Sequence, residues 1–170
     1  TYLLSAIITR LTGQTVAEYL TPRLFAPLGI RDFYWKASAE GCSMGGWGLF
    51  LRTEDLGKMG LWMLRKGNWQ GRQLLAESWF DEAMSVQADQ TRGKGYSEEE
   101  AARLARTSDW SAGYGYQMWR CCNGTFRLDG AWGQWCIICP EKDAVIVVNS
   151  VSRNTQGVLR LVWKYVYDKL

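Results

Sequence analysis

Residues 126–150 constrain the fold of this chain more than any other stretch, and they read FRLDGAWGQWCIICPEKDAVIVVNS. Glycines interrupt an extended pattern near the start of this stretch. The continuous apolar run Ala144–Val148 is typical of a strand that is buried on both faces. Just upstream, Asn123 and Gly124 predict a hairpin with a type I′ turn. We therefore expect antiparallel strands in the C-terminal part of the chain.

Helical patterns open the chain. Residues 2–11 place their leucines and isoleucines on one stripe, and Gly13 follows as a typical C-terminal glycine. Thr15 and Glu18 form a capping-box pattern ahead of a second helix that reaches about Phe25. Two helices are therefore predicted before the first turn.

Three further helices are predicted by amphipathic patterns. The first is capped by Thr53 and closed by Gly67, the second covers residues 74–87, and the third covers residues 155–170. The last of these can cover one face of the predicted sheet. The order of helices, then three antiparallel strands, then a C-terminal helix indicates an α+β fold.

The polar stretch of residues 88–111 interrupts this pattern. Only the capping box of Ser97 and Glu100 marks a short helix in it, so we expect a mobile insertion or a lid. The chain is interpreted as one partial domain, with a mostly helical part at residues 1–112 and a sheet with a terminal helix at residues 113–170.

Composition excludes several classes of function. The chain has no histidine, so a Ser-His-Asp triad, a Cys-His dyad or a zinc site with histidine cannot be built from it. The net charge of +3 is scattered and forms no basic stripe, which argues against nucleic acid as a partner. No apolar run approaches the roughly 20 residues that span a membrane.

The five cysteines are an odd number, so they cannot all pair within the chain: Cys42, Cys121, Cys122, Cys136 and Cys139. Free thiols favour a reducing compartment such as the cytoplasm, while a periplasmic or secreted location stays open. The last four could in principle bind zinc, or they could be buried structural thiols. A spacing of three along a strand points Cys136 and Cys139 to opposite faces, so we predict no metal site.

Five segments carry a resemblance to a known family: TYLLSAIITRLTGQTVAEYLTPRLFAPLGI, GGWGLFLRTEDLGKMGLWMLRKGNWQGRQLL, GYGYQMWR, FRLDGAWGQ and CIICPEKDAVIVVNS. In this order they resemble the C-terminal part of the serine β-lactamase-like superfamily, which contains class C β-lactamases, penicillin-binding DD-peptidases and related esterases. The resemblance covers nearly the whole chain. It implies a β-lactamase/transpeptidase-like fold and acyl transfer without a cofactor.

The resemblance also implies where the chemistry resides. In the family, a serine in a Ser-x-x-Lys motif attacks the acyl carbonyl, with the lysine and a Tyr-x-Asn tyrosine as bases. This chain contains neither motif, and it lacks Lys-(Ser/Thr)-Gly. The resemblance therefore implies a nucleophile upstream of Thr1, a truncated chain that is inactive alone, and no catalytic residue within it.

The family's third motif aligns with Leu128, Asp129 and Gly130. Leu128 cannot supply the cation of that motif, and Asp129 would repel a substrate carboxylate. We therefore expect an esterase or amidase that takes neutral or cationic acyl groups in the full-length protein. By resemblance, Gly130 lets the substrate approach the backbone, and the N–H of Ala131 is one of two oxyanion donors.

Other interpretations of these residues remain open at the level of sequence. Asp129 and Gly130 are also an ordinary turn pair. Arg127 is either a solvated strand-edge charge or a substrate ligand. The four nearby aromatic residues either line a cleft or pack in the core: Tyr114, Tyr116, Trp132 and Trp135. For the whole chain, the alternative function is a non-catalytic binding or assembly module. The protein partner that we expect is a second copy of the chain, bound through an exposed sheet edge.

Overall fold

A computed structural model describes all residues from Thr1 to Leu170. The contacts divide the chain into two compact units, Thr1–Met59 and Gly60–Leu170. No helix in either unit has the length and apolar character needed to cross a membrane. The fold is a mixed α+β fold with antiparallel strands and a C-terminal helix, as the sequence predicts.

Both predicted N-terminal helices are present in the first unit. Its elements are α1 (Tyr2–Thr12), α2 (Val16–Leu20), a π-helical continuation (Thr21–Phe25), and the short antiparallel strands β1 (Tyr34–Trp35) and β2 (Leu49–Phe50). Gly13 adopts the left-handed conformation at the end of α1, with φ of 70°. The capping box is complete, because Glu18 N–H donates to Thr15 Oγ1 and Thr15 N–H donates to Glu18 Oε2.

The apolar stripe of α1 lies on the surface. Leu3, Leu4, Ile7 and Leu11 are between 52% and 79% exposed. Ser5 is the buried residue of this helix, and its hydroxyl donates to the carbonyl oxygen of Ser43 at 2.6 Å. The stripe that defines α1 in the sequence therefore does not form a core within this chain.

Helix α3 (Thr53–Leu64) begins with Glu54 and Asp55 in its first turn, where the helix dipole favours negative charge. The second unit then contains a short hairpin, three helices and a four-stranded sheet. These are β3 (Asn68–Trp69), β4 (Arg72–Gln73), α4 (Glu77–Ala83), α5 (Glu98–Thr107), β5 (Trp119–Arg120), β6 (Phe126–Gly130), β7 (Gln134–Cys139), β8 (Ala144–Val148) and α6 (Thr155–Tyr165). The sheet is antiparallel, in the order β5-β6-β7-β8.

One face of this sheet packs against α6. The core there consists of Trp135, Ile137, Cys139, Ile146, Leu159 and Val162. Because side chains alternate along a strand, the neighbours of these sheet residues point to the other face. That second face lies against Gly60 in α3, where an added Cβ would meet Cys136 Sγ at 2.5 Å and Val145 Cγ1 at 2.6 Å.

The close approach at Gly60 gives a testable prediction for the fold. Gly60→Ala should reduce the free energy of unfolding by about 1–2 kcal/mol, because overpacking outweighs the roughly 1 kcal/mol by which alanine favours a helix. Chemical denaturation measures this loss. In a background with Cys136→Ala and Val145→Ala, the same change should be neutral or stabilising. An equal loss in both backgrounds would contradict steric conflict as the cause.

Three details of the sequence interpretation are wrong. The hairpin at Asn123 has a three-residue loop in which Gly124 has φ of 78° and Asn123 does not have positive φ, so the turn is not type I′. The helix predicted at residues 74–87 is limited to Glu77–Ala83, because Leu74 N–H donates to the Gly67 carbonyl oxygen and Gln87 N–H to that of Tyr114. Strand β8 is an edge strand in which only Ile146 is buried.

The polar insertion is more regular than its composition suggests. Ser97 and Glu100 form the predicted capping box, and they open the ten-residue helix α5. This helix has no buried residue. The insertion therefore adds an exposed, amphipathic helix to the second unit.

Candidate functional site

The end of β6 and the turn that follows it contain the predicted acyl-binding residues Leu128, Asp129, Gly130 and Ala131. Gly130 pairs with Gln134, and Ala131, Trp132 and Gly133 form the loop between them. Trp132 and Gly133 both have positive φ, 69° and 84°. A left-handed conformation costs a residue such as tryptophan about 1–2 kcal/mol, so the surrounding structure must hold it in place.

Hydrogen bonds from the segment after β8 hold this turn. The hydroxyl of Ser150 lies 2.6 Å from the carbonyl oxygen of Trp132 and 3.0 Å from that of Gly133. The N–H of Ser152 donates to the same Trp132 oxygen at 3.0 Å. The N–H of Ala131 makes no hydrogen bond within the loop, and Ala131 is exposed. The turn is therefore fixed by its carbonyl groups and leaves this N–H available.

The strand separates the predicted site residues onto two faces. Leu128 lies opposite Cys136, on the face that meets Gly60. Asp129 lies opposite Trp135, on the face covered by α6. Gly130 follows on the side of Leu128, and a Cβ there would be 3.0 Å from the Cβ of Gln134. The side chain of Asp129 thus points away from the surface that Leu128 and Gly130 share.

Arg127 is fully buried beside Asp129, so a solvated strand-edge charge is the wrong interpretation. Its Nε donates to Asp129 Oδ2 at 2.8 Å. Its Nη1 donates to the carbonyl oxygen of Asp109 at 3.0 Å and contacts Cys121 Sγ at 3.0 Å. The guanidinium also lies 4.3 Å from the ring centre of Trp110. Asp129 is therefore neutralised by a buried cation.

This ion pair changes the electrostatic argument from sequence. A carboxylate that is paired and on the α6 face exerts little repulsion on a substrate at Gly130. The charge of Asp129 acts on groups near its own face of the sheet. Burial and, to a smaller extent, the charge of Asp129 raise the pKa of Tyr114. At the predicted site, the feature that still disfavours a substrate carboxylate is Leu128, which carries no positive charge.

Asp109 links Arg127 to α6. Its Oδ1 accepts from the N–H of Cys122 at 3.0 Å, and its Oδ2 accepts from Trp163 Nε1 at 2.8 Å. Burial, assisted by Asp109, raises the pKa of Cys122 to about 11. Burial likewise raises the pKa of Cys136 to about 12. Both thiols stay protonated at neutral pH, so neither is an activated nucleophile.

The cysteines do not gather around a metal position. Cys136 meets Gly60 on one face of the sheet, whereas Cys139 belongs to the core against α6. No group of three or more histidine, cysteine, aspartate or glutamate side chains is placed to hold a metal ion.

The aromatic residues near the site divide between core and surface. Trp135 is fully buried, whereas Trp132 is 50% exposed at the tip of the turn. Tyr116 is partly exposed, and its hydroxyl donates to Glu82. Tyr114 packs edge-on against Trp119. Trp132 is therefore the exposed aromatic residue within the turn itself, and Tyr116 is exposed elsewhere, beside Glu82.

Comparison with known families identifies the family of this chain. The family model "Beta-lactamase" matches residues 1–166. The chain belongs to the β-lactamase family. Comparison with curated proteins finds no match by sequence.

A solved structure supports the β-lactamase fold independently. It is a Bacillus anthracis protein assigned as a 6-aminohexanoate-dimer hydrolase, with a TM-score of 0.71 and 22% sequence identity. The match covers 98% of this β-lactamase-family chain but 40% of the solved chain. The likeness establishes the fold alone, and the chain spans less than half the length of that relative.

The sequence does not predict the buried Arg127 and its link to Asp109, because nothing local to Arg127 signals burial. Two tryptophans near Asp109 and Arg127 in the sequence, Trp110 and Trp119, were the available hint, since their rings enclose the guanidinium.

Proposed function

We propose that this chain forms one wall of the acyl-transfer site of a serine hydrolase whose nucleophile lies outside residues 1–170. The observation that carries the proposal is the available N–H of Ala131 at a turn fixed by Ser150 and Ser152. A fixed backbone donor at a strand end suits the developing oxyanion of an acyl-transfer transition state. Family membership supports the reaction class.

The proposed substrates are esters or amides whose acyl part is neutral or cationic. Leu128 offers no charge to a substrate carboxylate, and the buried Arg127 is already paired with Asp129. A substrate carboxylate would therefore lose water at this strand without gaining a partner. β-Lactams and D-alanyl peptides carry such a carboxylate and are therefore disfavoured as substrates.

Fluorophosphonate labelling tests the proposed function. The longer protein that contains this chain should be labelled at one serine, and the label should map outside residues 1–170. The chain alone should not be labelled in stoichiometric amount by a fluorophosphonate or a penicillin, because it contains no Ser-x-x-Lys. Circular dichroism of the same sample establishes that the chain is folded. Stoichiometric labelling of one of its own serines would contradict the proposal.

A second candidate function is a non-catalytic binding or assembly module that keeps the family fold. The exposed stripe of α1 and the edge strand β8 are the surfaces that such a module would use to bind a different protein. Sedimentation separates the two candidates. A piece of a larger hydrolase should dimerise, swap strands or aggregate when isolated, whereas an evolved module should be a clean monomer.

A further inference from the structure

A cavity of about 500 Å³ opens at the opposite end of β6 from the Gly130 turn. It lies between the end of α5, the loop before β6 and helix α6. Six of its lining residues matter here: Arg106, Asn123, Gln156, Arg160, Trp163 and Asp168. The five residues of β6 extend about 15 Å, so this cavity is separate from the proposed acyl site.

Two guanidinium groups border the cavity without an ion-pair partner. Arg106 is in the last turn of α5, and Arg160 is on the exposed side of α6. Neither takes part in an ion pair or a side-chain hydrogen bond, although the chain contains six ion-pair contacts elsewhere. Each guanidinium therefore retains its N–H donors for a ligand.

The two amide side chains in the lining also present donors. Gln156 Oε1 accepts from Trp110 Nε1 at 2.7 Å. Asn123 Oδ1 accepts from the hydroxyl of Thr125 at 2.8 Å and from its N–H at 3.3 Å. Because both amide oxygens are engaged inside the protein, the NH₂ groups are the parts left to face a ligand.

The acceptors in the lining are mostly engaged. Both carboxylate oxygens of Asp109 are bound, one to Cys122 N–H and one to Trp163 Nε1. Asp168 is the remaining carboxylate, at the exposed turn after α6. The lining thus carries two unpaired arginines and two amide donors against two carboxylates, of which Asp109 has both oxygens engaged and Asp168 is free. The free N–H donors outnumber the free carboxylate oxygens, so the lining suits a ligand rich in acceptors.

We propose that this cavity binds a small oxyanion, a carboxylate or phosphate group, between Arg106 and Arg160. The two guanidiniums bind the oxygens, and the NH₂ groups of Gln156 and Asn123 complete the donor set. Trp163 also lines the cavity. Asp168 and Asp109 oppose the ligand by their charge, so they limit affinity. The inference does not depend on the proposed hydrolase function.

Titration of the intact protein with inorganic phosphate, and separately with acetate, tests the proposal at constant ionic strength. Saturable binding of at least one probe is expected. Calorimetry and the chemical shift of the Trp163 indole N–H resonance measure this binding. Arg160→Gln and Arg106→Gln should each weaken binding about tenfold, because each removes a charge-assisted contact. Asp168→Asn should strengthen it, since it removes the opposing charge.

Matched controls distinguish a built site from general attraction. Arg153→Gln removes an exposed arginine just before α6, and Arg103→Gln removes one from α5, yet neither residue lines the cavity. Both controls should bind the probe as the unchanged protein does. Failure of both probes to saturate would overturn the proposal. So would an equal loss of affinity in the controls and in the Arg160 and Arg106 variants.

Discussion

Replacing Arg127 by methionine is expected to lower the free energy of unfolding by about 3–5 kcal/mol. The guanidinium is fully buried, and it pairs with Asp129, whose side chain is only 14% exposed. Removing the cation leaves a largely buried carboxylate without its partner. It also removes the donor to the Asp109 carbonyl and the cation over the Trp110 ring. Equilibrium denaturation with urea measures the loss.

Two comparisons test whether burial of the ion pair causes the loss of stability in Arg127→Met. Arg65→Met breaks an ion pair with Asp143 whose side chains are 53% and 65% exposed, and it should have a much smaller effect. The double change Arg127→Met with Asp129→Leu should recover much of the stability, because no charge is then left buried. If Arg127→Met costs no more than Arg65→Met, the buried pair is not important for the fold.

The position of Arg127 also shows why the sequence could not predict its role. A strand residue between two apolar neighbours can face solvent or core, and the pattern is the same in both cases. Burial of Arg127 results from Trp110 and Trp119, which lie outside β6 and whose rings enclose it. The burial of this charge depends on contacts between elements, so a local sequence pattern does not predict it.

Elements with strong local signals were predicted correctly. The capping boxes at Thr15 and Ser97 both form, because their two reciprocal hydrogen bonds involve residues only three apart. The prediction of a type I′ turn at Asn123 is wrong, because the turn type depends on loop length, and the pairing between the two strands decides loop length. Predicting β8 as fully buried failed for a similar reason, since an apolar run does not specify its position in the sheet.

The candidate site was only partly predictable. Gly130 lies at the end of β6 and Ala131 in an exposed turn, and their role at an acyl site stays a prediction. The direction of the Asp129 side chain follows from the pairing of Asp129 with Trp135. Arg127 neutralises Asp129, and its burial results from the tertiary fold. The sequence could therefore identify the strand but not the electrostatics around it.

Replacing Ala131 by proline is expected to reduce the kcat of the intact protein about 100- to 1000-fold, with little change in KM. Proline has no N–H, so it removes one proposed donor to the oxyanion while leaving ground-state binding in place. The fold should tolerate the change. The N–H of Ala131 makes no loop hydrogen bond, Ala131 does not have positive φ, and Gly130 before it is in a strand. Hydrolysis of a neutral activated ester such as p-nitrophenyl acetate measures both constants.

Ala131→Ser is the matched control, because it keeps the N–H at the same exposed position and should retain most of the activity. Denaturation should show similar stability for both variants, which separates a loss of chemistry from a loss of fold. A proline variant that keeps its kcat would show that Ala131 is not an oxyanion donor, even if the serine nucleophile is labelled as expected. A loss of kcat in the proline variant alone, with both variants equally stable, would identify the turn held by Ser150 as part of the catalytic machinery, because proline lacks the N–H that serine keeps.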